Sequence, residues 1–185
     1  MSRFEALTEI VGCLSDHLVV CNIGQPAQEL FAIRDRAENF YMLGSMGLAS
    51  SIGHGLALST KRRVVVIDGD AAATMNMGGL ATIGHTRPPN LIHVIIDNEA
   101  NGSTGFQPSF TADRLALDVV ARGCGIESVH VVTRQEDVAA TFRRLDGQPG
   151  PHLLLIKTER GMPDGIEIIP LTGLDIRERF MATIG

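Results

Sequence analysis

No run of apolar residues in this sequence is long enough to span a bilayer, and its start, Met1-Ser2-Arg3-Phe4-Glu5, lacks the apolar core of a signal peptide. The expectation is a cytoplasmic protein that does not enter a membrane. Cysteine is scarce. Cys13, Cys21 and Cys124 lie far apart, with no C-x-x-C pair and no zinc-ligand spacing, which argues against a disulfide frame and fits buried thiols in a reducing compartment. A basic stripe is also missing: Lys+Arg number 16 against Asp+Glu 21, and the basic residues come in ones and twos, so nucleic acid is not expected as a partner. After Cys21 the chain reads Asn22-Ile23-Gly24-Gln25-Pro26, which does not match the G-x-G-x-x-G that a dinucleotide-binding Rossmann domain requires. Internal repeats and low-complexity segments are absent.

What is there is a chain of 185 residues, 44% of them hydrophobic, enough to bury one substantial core. One domain over residues 1–185 is expected, with 158–185 as a C-terminal arm and helix. Phe4, Leu7, Ile10, Val11 and Leu14 mark one face of a helix. Short apolar runs at Leu18–Cys21, Tyr41–Leu43, Val64–Ile67, Leu91–Ile96, Ser128–Val132 and His152–Ile156 read as strands. Helices are expected over Ala27–Ile33, within the small-residue stretch Gly44–Ser59, and over Ala71–His85, Asp113–Arg122, Gln135–Leu145 and Leu174–Met181. Continuous apolar strands alternating with helices predict a doubly wound α/β fold, with a mainly parallel sheet covered on both faces and ligands at the carboxyl ends of its strands.

Two of those strand ends carry oxygen donors. Asp68-Gly69-Asp70 follows one strand and Asp97-Asn98 the next, and in a parallel sheet both ends face the same way. Asp70, Asn98 and a nearby backbone carbonyl make the sparse oxygen set with which Mg²⁺ is held when phosphate and water complete its octahedron. A helix starting near Ala71, with small side chains at Ala71, Ala72 and Ala73, would present free N–H groups to a phosphate. By itself, an aspartate in this position serves more often as a helix N-cap. Its pairing with Asn98, and the loop Glu99–Pro108 that is too polar for a core, favour the ligand site.

The same residues resemble a known pattern. Asp68-Gly69-Asp70 through Asp97-Asn98 is similar to the diphosphate and Mg²⁺ signature of thiamine diphosphate enzymes, and "NFYMLGSMGLASSIGHGLALS" and "VCNIGQPAQELF" extend the resemblance over roughly the first 110 residues. At this level the chain looks most like the sulfopyruvate decarboxylase β-subunit family, with phosphonopyruvate decarboxylases as close relatives. The resemblance implies thiamine diphosphate and Mg²⁺ as cofactors. Asp70, the Asn98 side chain and the Ala100 carbonyl would bind the metal, and the N–H groups of Ala71, Ala72, Asn101 and Gly102 the diphosphate, with Gly69 in the same turn. Gly44, Ser45 and Met46 would meet the rest of the cofactor, Gly44 through its carbonyl and Met46 as the wedge that bends it. From residue type alone, Met46 reads as an ordinary core methionine. Ala71 replaces a usual glycine, and if that position needs a left-handed backbone it costs about 1–2 kcal/mol.

In the resembled family, a glutamate that activates the pyrimidine belongs to a different domain, and the stretch before Gly44 is too short for one. A separate α subunit is therefore expected to supply it, in a hetero-oligomer of αβ pairs that converts sulfopyruvate to sulfoacetaldehyde and CO₂, a step tied to coenzyme M synthesis or sulfonate metabolism. Asn101, Ser103, Thr104 and Gln107 are the substrate-facing candidates. His93, inside a strand, reads as a core histidine, and His54 and His85 as minor candidates for a cofactor or subunit contact. The alternatives are a phosphonopyruvate decarboxylase subunit, a non-catalytic cofactor-binding subunit, and the β subunit of a 2-oxo acid:ferredoxin oxidoreductase, for whose clusters three scattered cysteines fit poorly.

Overall fold

Parallel strands that read as unbroken apolar runs have to be covered on both faces, and the architecture follows from that requirement. The structure, a computed structural model, describes residues 1–184. In chain order these form α1 (Arg3–Val11), β1 (Leu18–Cys21), α2 (Gln25–Ile33), β2 (Asn39–Tyr41), α3 (Ala49–Ser59), β3 (Val64–Gly69), α4 (Asp70–Met75), α5 (Gly78–Thr86), β4 (Leu91–Asp97), the two-residue strands β5 (Ala100–Asn101) and β6 (Gln107–Pro108), α6 (Leu117–Gly123), β7 (Ser128–Val132), α7 (Gln135–Asp146), β8 (His152–Lys157) and α8 (Gly173–Ile184). Six strands make one parallel sheet in the order β2-β1-β3-β4-β8-β7. The chain leaves β1 for β2 on one side and returns to β3 on the other. A crevice therefore opens beyond the carboxyl ends of β1 and β3, the place where such sheets bind ligands.

Side chains alternate between two cores. Val19, Val65, Ile67, Val94 and Leu154 pack beneath α1, α2 and α7, while Val20, Val64, Val66, Ile95 and Leu153 pack beneath α3, α5 and α6. Helix α8 lies against β2 and closes that edge, giving Ile176 to one core and Phe180 to the other. At the other end of the chain, α1 starts with a reciprocal cap in which Ser2 Oγ accepts from Glu5 N and Glu5 Oε2 accepts from Ser2 N. Among the described residues, no helix is long and apolar enough to cross a membrane.

The sequence places the elements well but misjudges some of their ends. The second strand stops at Tyr41 and not at Leu43, because its partner β1 ends at Cys21, which pairs with Tyr41. Helix α3 starts at Ala49 because Ser45 (φ 57°) and Gly47 (φ 93°) hold left-handed backbone that no α-helix accepts. The crossover helix expected over Ala71–His85 is broken at Asn76-Met77, where Asn76 Nδ2 donates to Ser51 Oγ at 3.0 Å. Helix α6 starts at Leu117 and not at Asp113, since Phe110–Ala112 form a separate 3₁₀ turn. Of the three thiols, all free, only Cys21 is fully buried.

Small residues set the spacing of the second face. A Cβ on Gly53 would lie 2.1 Å from Val66 Cγ2, and one on Gly84 would lie 2.0 Å from the carbonyl oxygen of Cys124. Valine can rotate, whereas backbone cannot. Gly84→Ala is therefore expected to destabilise the fold by about 1–3 kcal/mol, read as a lower denaturation midpoint; an unchanged midpoint would refute the close α5–α6 approach.

Near the amino ends of β7 and β8, hydrogen bonds fix two tautomers. His152 Nε2 lies 3.1 Å from the Gln148 carbonyl, which can only accept, so His152 Nδ1 accepts from Ser128 Oγ at 2.7 Å. Ser128 Oγ in turn accepts from His130 Nε2 at 3.1 Å. Burial, with nearby arginines, holds both imidazole pKa values below the ordinary range. The unfolded chain, with histidine pKa about 6.5, thus binds more protons just below that pH, and stability falls as pH drops through it. A melting temperature that declines from pH 7.5 to 5.5, with a shallower decline in His152→Asn, is the expected result.

Candidate functional site

Four strand ends converge on a cavity of about 320 Å³. Asn22 to Pro26 follow β1, Ser45 and Met46 follow β2, Gly69 ends β3 and Asp70 to Ala72 follow it, and Asn98 with Ala100 to Ser103 follow β4. Asp70 and Asn98 are thus brought to one cavity by the parallel register in which Gly69 pairs with Ile96.

Asp70 is only 2% exposed. It is not a cap: the N-cap of α4 is Gly69, and no side chain caps this helix. Its Oδ2 accepts from Ser109 Oγ and, at 3.0 Å, from Thr111 Oγ1. Burial raises its pKa; the Ser109 hydroxyl opposes that shift, and the neighbouring Asp97 carboxylate adds to it. Thr111 Oγ1 also lies 2.8 Å from Asp97 Oδ1, but a hydroxyl has one proton and can donate to only one of the two acids at a time. Asp97 has a counter-ion in Lys157, whose Nζ is 2.8 Å from Asp97 Oδ2 and 2.8 Å from Glu99 Oε1. Asp70 has none among the described residues.

Asn98, 6% exposed, accepts from the Ala100 N–H at 3.2 Å, and the intervening Glu99 takes a left-handed backbone (φ 58°). Left-handed residues other than glycine are costly and are kept where the surroundings hold them. Here Ser45 and Glu99 are two of them, one beside Met46 and one beside the Asn98 turn. The donor set comprises one carboxylate, one amide oxygen and backbone carbonyls, and among the described residues no cluster of three or more His, Cys, Asp or Glu is poised for a metal. That chemistry fits a hard cation sharing its shell with phosphate and water, and it does not fit zinc.

The diphosphate side needs one correction. Helix α4 spans six residues, so the long helix expected from Ala71 to His85 does not stand behind these N–H groups. Individual amides of Ala71 and Ala72 remain beside the cavity. Ala71 lies in the first turn of α4 and is not among the residues with positive φ, so the strain foreseen for replacing glycine is absent.

Other sequence candidates divide. Met46 stands at the cavity with 36% exposure, which removes the core-methionine reading, and Ser45, Asn101, Gly102 and Ser103 join it. Gly44 is exposed and lies outside the cavity wall. Thr104 and Gln107 turn to each other at 2.7 Å, away from the cavity. His54 bonds Thr86, His85 is exposed, and neither borders the cavity. His93 is buried, with Nε2 3.4 Å from Asp68 Oδ2.

The family model for the thiamine pyrophosphate enzyme C-terminal TPP-binding domain matches residues 22–156. The chain belongs to the thiamine pyrophosphate enzymes. A sulfopyruvate decarboxylase β subunit of Methanococcus maripaludis is 43% identical, covering 100% of this chain and 98% of that protein. A sulfopyruvate decarboxylase of Methanosarcina acetivorans is 37% identical over 100% of this chain but only 47% of its own length. A phosphonopyruvate decarboxylase of Streptomyces viridochromogenes is 36% identical over 99% of this chain and 46% of its own length. The fold is shared with a solved structure from Mycobacterium smegmatis described as a thiamin diphosphate-dependent enzyme, with TM-score 0.72 and 19% identity over 87% of this chain and 32% of that one.

Within this family's frame, the residues that sequence reasoning missed are Ser109 and Thr111, which hold Asp70, and Gln25 and Arg3, which border the cavity. Gln25 could have been found, since it follows strand β1 in a Gly-Gln-Pro turn at the same sheet edge. The hydroxyl pair has no such local signal.

With no strain to relieve at position 71, Ala71→Gly is expected to leave cofactor affinity unchanged or weaker and to cost about 0.5–1 kcal/mol of stability; calorimetric titration showing tighter binding would overturn this.

Proposed function

We propose that this chain is the β subunit of a thiamine diphosphate- and Mg²⁺-dependent decarboxylase that converts sulfopyruvate to sulfoacetaldehyde and CO₂. The observation that carries the reading is the 43% identity over the whole chain to a sulfopyruvate decarboxylase β subunit. The cavity chemistry supports it. Asp70, Asn98 Oδ1 and the Ala100 carbonyl would hold Mg²⁺, and the amides of Ala71, Ala72, Asn101 and Gly102 the diphosphate. When bound, thiamine diphosphate supplies an electron sink for the pair left behind as the carboxylate departs as CO₂.

What the chain itself contributes is binding and order. Ser109 and Thr111 hold the Asp70 carboxylate in one orientation, and its burial raises the benefit of a cation beside it. The left-handed Glu99 turn sets Asn98 and Ala100 side by side at the cavity wall, where both would face the metal. Met46, which lines the cavity with 36% exposure, would press on the cofactor, and Gly44, which lies outside the cavity wall, would accept a hydrogen bond with its carbonyl. The acid that activates the pyrimidine comes from a partner α subunit, in keeping with the word "subunit" in the relative's name and with the Methanosarcina relative, of which this chain matches only 47%. Three free thiols suit the reducing cytoplasm. A phosphonate substrate is the second reading, favoured by the 36% identity to a phosphonopyruvate decarboxylase.

The test is CO₂ release from sulfopyruvate and from phosphonopyruvate by this chain, by its partner, and by the two mixed with thiamine diphosphate and Mg²⁺. Turnover of sulfopyruvate by the mixture alone is expected. It should stop on chelation of Mg²⁺ and resume when the metal is restored. Turnover of phosphonopyruvate only would replace the substrate, and full activity of this chain alone would refute the split site.

A further inference from the structure

Arg3 lies outside the residues matched by the family model, 22–156, yet its side chain borders the cavity. It is the first residue of α1 and is 5% exposed. Its Nε donates to Glu29 Oε2 at 2.8 Å and its Nη2 to Glu29 Oε1 at 2.7 Å, a bidentate pair with a glutamate that is 0% exposed. The same Nη2 reaches Gln25 Oε1 at 2.9 Å and, more weakly, the Gly161 carbonyl at 3.3 Å.

A guanidinium can donate but never accept. Gln25 must therefore present its oxygen to Arg3, and its amide nitrogen, with two N–H donors, is turned away. Among the described residues that nitrogen donates to nothing. Gly102 meets the same end of the amide: a Cβ there would lie 2.3 Å from Gln25 Oε1 and 3.4 Å from Nε2, so a larger residue would displace the oxygen that Arg3 holds. At the wall of the cavity, the amide is thus oriented by a cation on its oxygen, and a glycine leaves room for that oxygen.

We propose that Arg3 is a positioning residue for the cofactor's diphosphate: by fixing the carbonyl end of Gln25 it keeps the amide donors of that residue facing the phosphate oxygens. This rests on the thiamine diphosphate reading above. Lysine at position 3 could pair with Glu29 as a point charge but has no planar fork with which to hold Glu29 and Gln25 together. Replacing the whole ion pair by apolar residues, Arg3→Met with Glu29→Leu, removes the cation without leaving a buried charge alone.

The experiment is calorimetric titration of the chain in complex with its partner subunit, using thiamine diphosphate with Mg²⁺ and, separately, thiamine, which lacks the phosphates. Melting temperatures are recorded in parallel. In Arg3→Lys and in the double variant the Kd for thiamine diphosphate should rise by about tenfold or more, as for loss of a hydrogen bond to a charged group. The Kd for thiamine should stay unchanged, and the double variant should melt near the wild type. Unchanged thiamine diphosphate affinity in both variants would overturn the inference, as would thiamine affinity falling in step. If the wild-type complex binds no thiamine diphosphate, the proposed function falls and this inference with it; wild-type binding alongside unaffected variants removes the inference alone.

Discussion

A carboxylate buried without a counter-ion is the feature on which the site depends. Desolvating an ionised group is expensive unless hydrogen bonds or an opposite charge compensate. Asp70 receives the Ser109 hydroxyl and shares that of Thr111 with Asp97, and it meets no cation among the described residues. The segment carrying those hydroxyls is consequently not free to extend α6 back to Asp113, and the polar loop after Asn98 is pinned at its far end. An Asp in this condition would gain from a divalent ion beside it, which would supply the missing compensation.

The sheet makes this arrangement possible. Parallel strands send their chain directions, and so their loops, to one edge, and the switch between β1 and β3 separates the helices that follow them. Residues distant in sequence then share a cavity that no single segment could enclose. Packing on the second face is close because glycine occurs where α3 meets β3 and where α5 meets α6. Larger residues at those positions would lift the helices and displace the loop from Ser45 to Leu48, which packs on the end of α4 through Gly47 and Met75.

Much of this was legible in the sequence, and for identifiable reasons. Buried parallel strands are continuous apolar runs, so β1, β7 and the starts of β3, β4 and β8 could be read directly; Asp70 and Asn98 could be paired because strand ends in a parallel sheet face one way. Local periodicity says which face of an element is buried, but not what it touches. The grip of Ser109 and Thr111 on Asp70, the Lys157 counter-ion of Asp97 and the reach of Arg3 to Gln25 all join residues more than a dozen positions apart, and none leaves a periodic trace. The break in the crossover helix was missed for the same reason. Asn76 leaves helical geometry to meet Ser51 of α3, a partner that propensity cannot see.

The charges around the cavity bear on the form in which a diphosphate could enter. Glu29 is paired with Arg3, and Asp97 and Glu99 share Lys157; these acids are compensated within the protein. Asp70 stands apart from them at the cavity wall. Two unit charges about 4 Å apart interact by about 4 kcal/mol at an intermediate dielectric constant. A diphosphate entering alone would therefore meet an uncompensated negative charge in a poorly solvated place, whereas a metal ion bound to it reverses the sign of that encounter. On the proposed reading, Asp70 would favour entry of the diphosphate as its metal complex over the bare anion, so that the residue assigned to the metal would also bear on the form in which the cofactor enters.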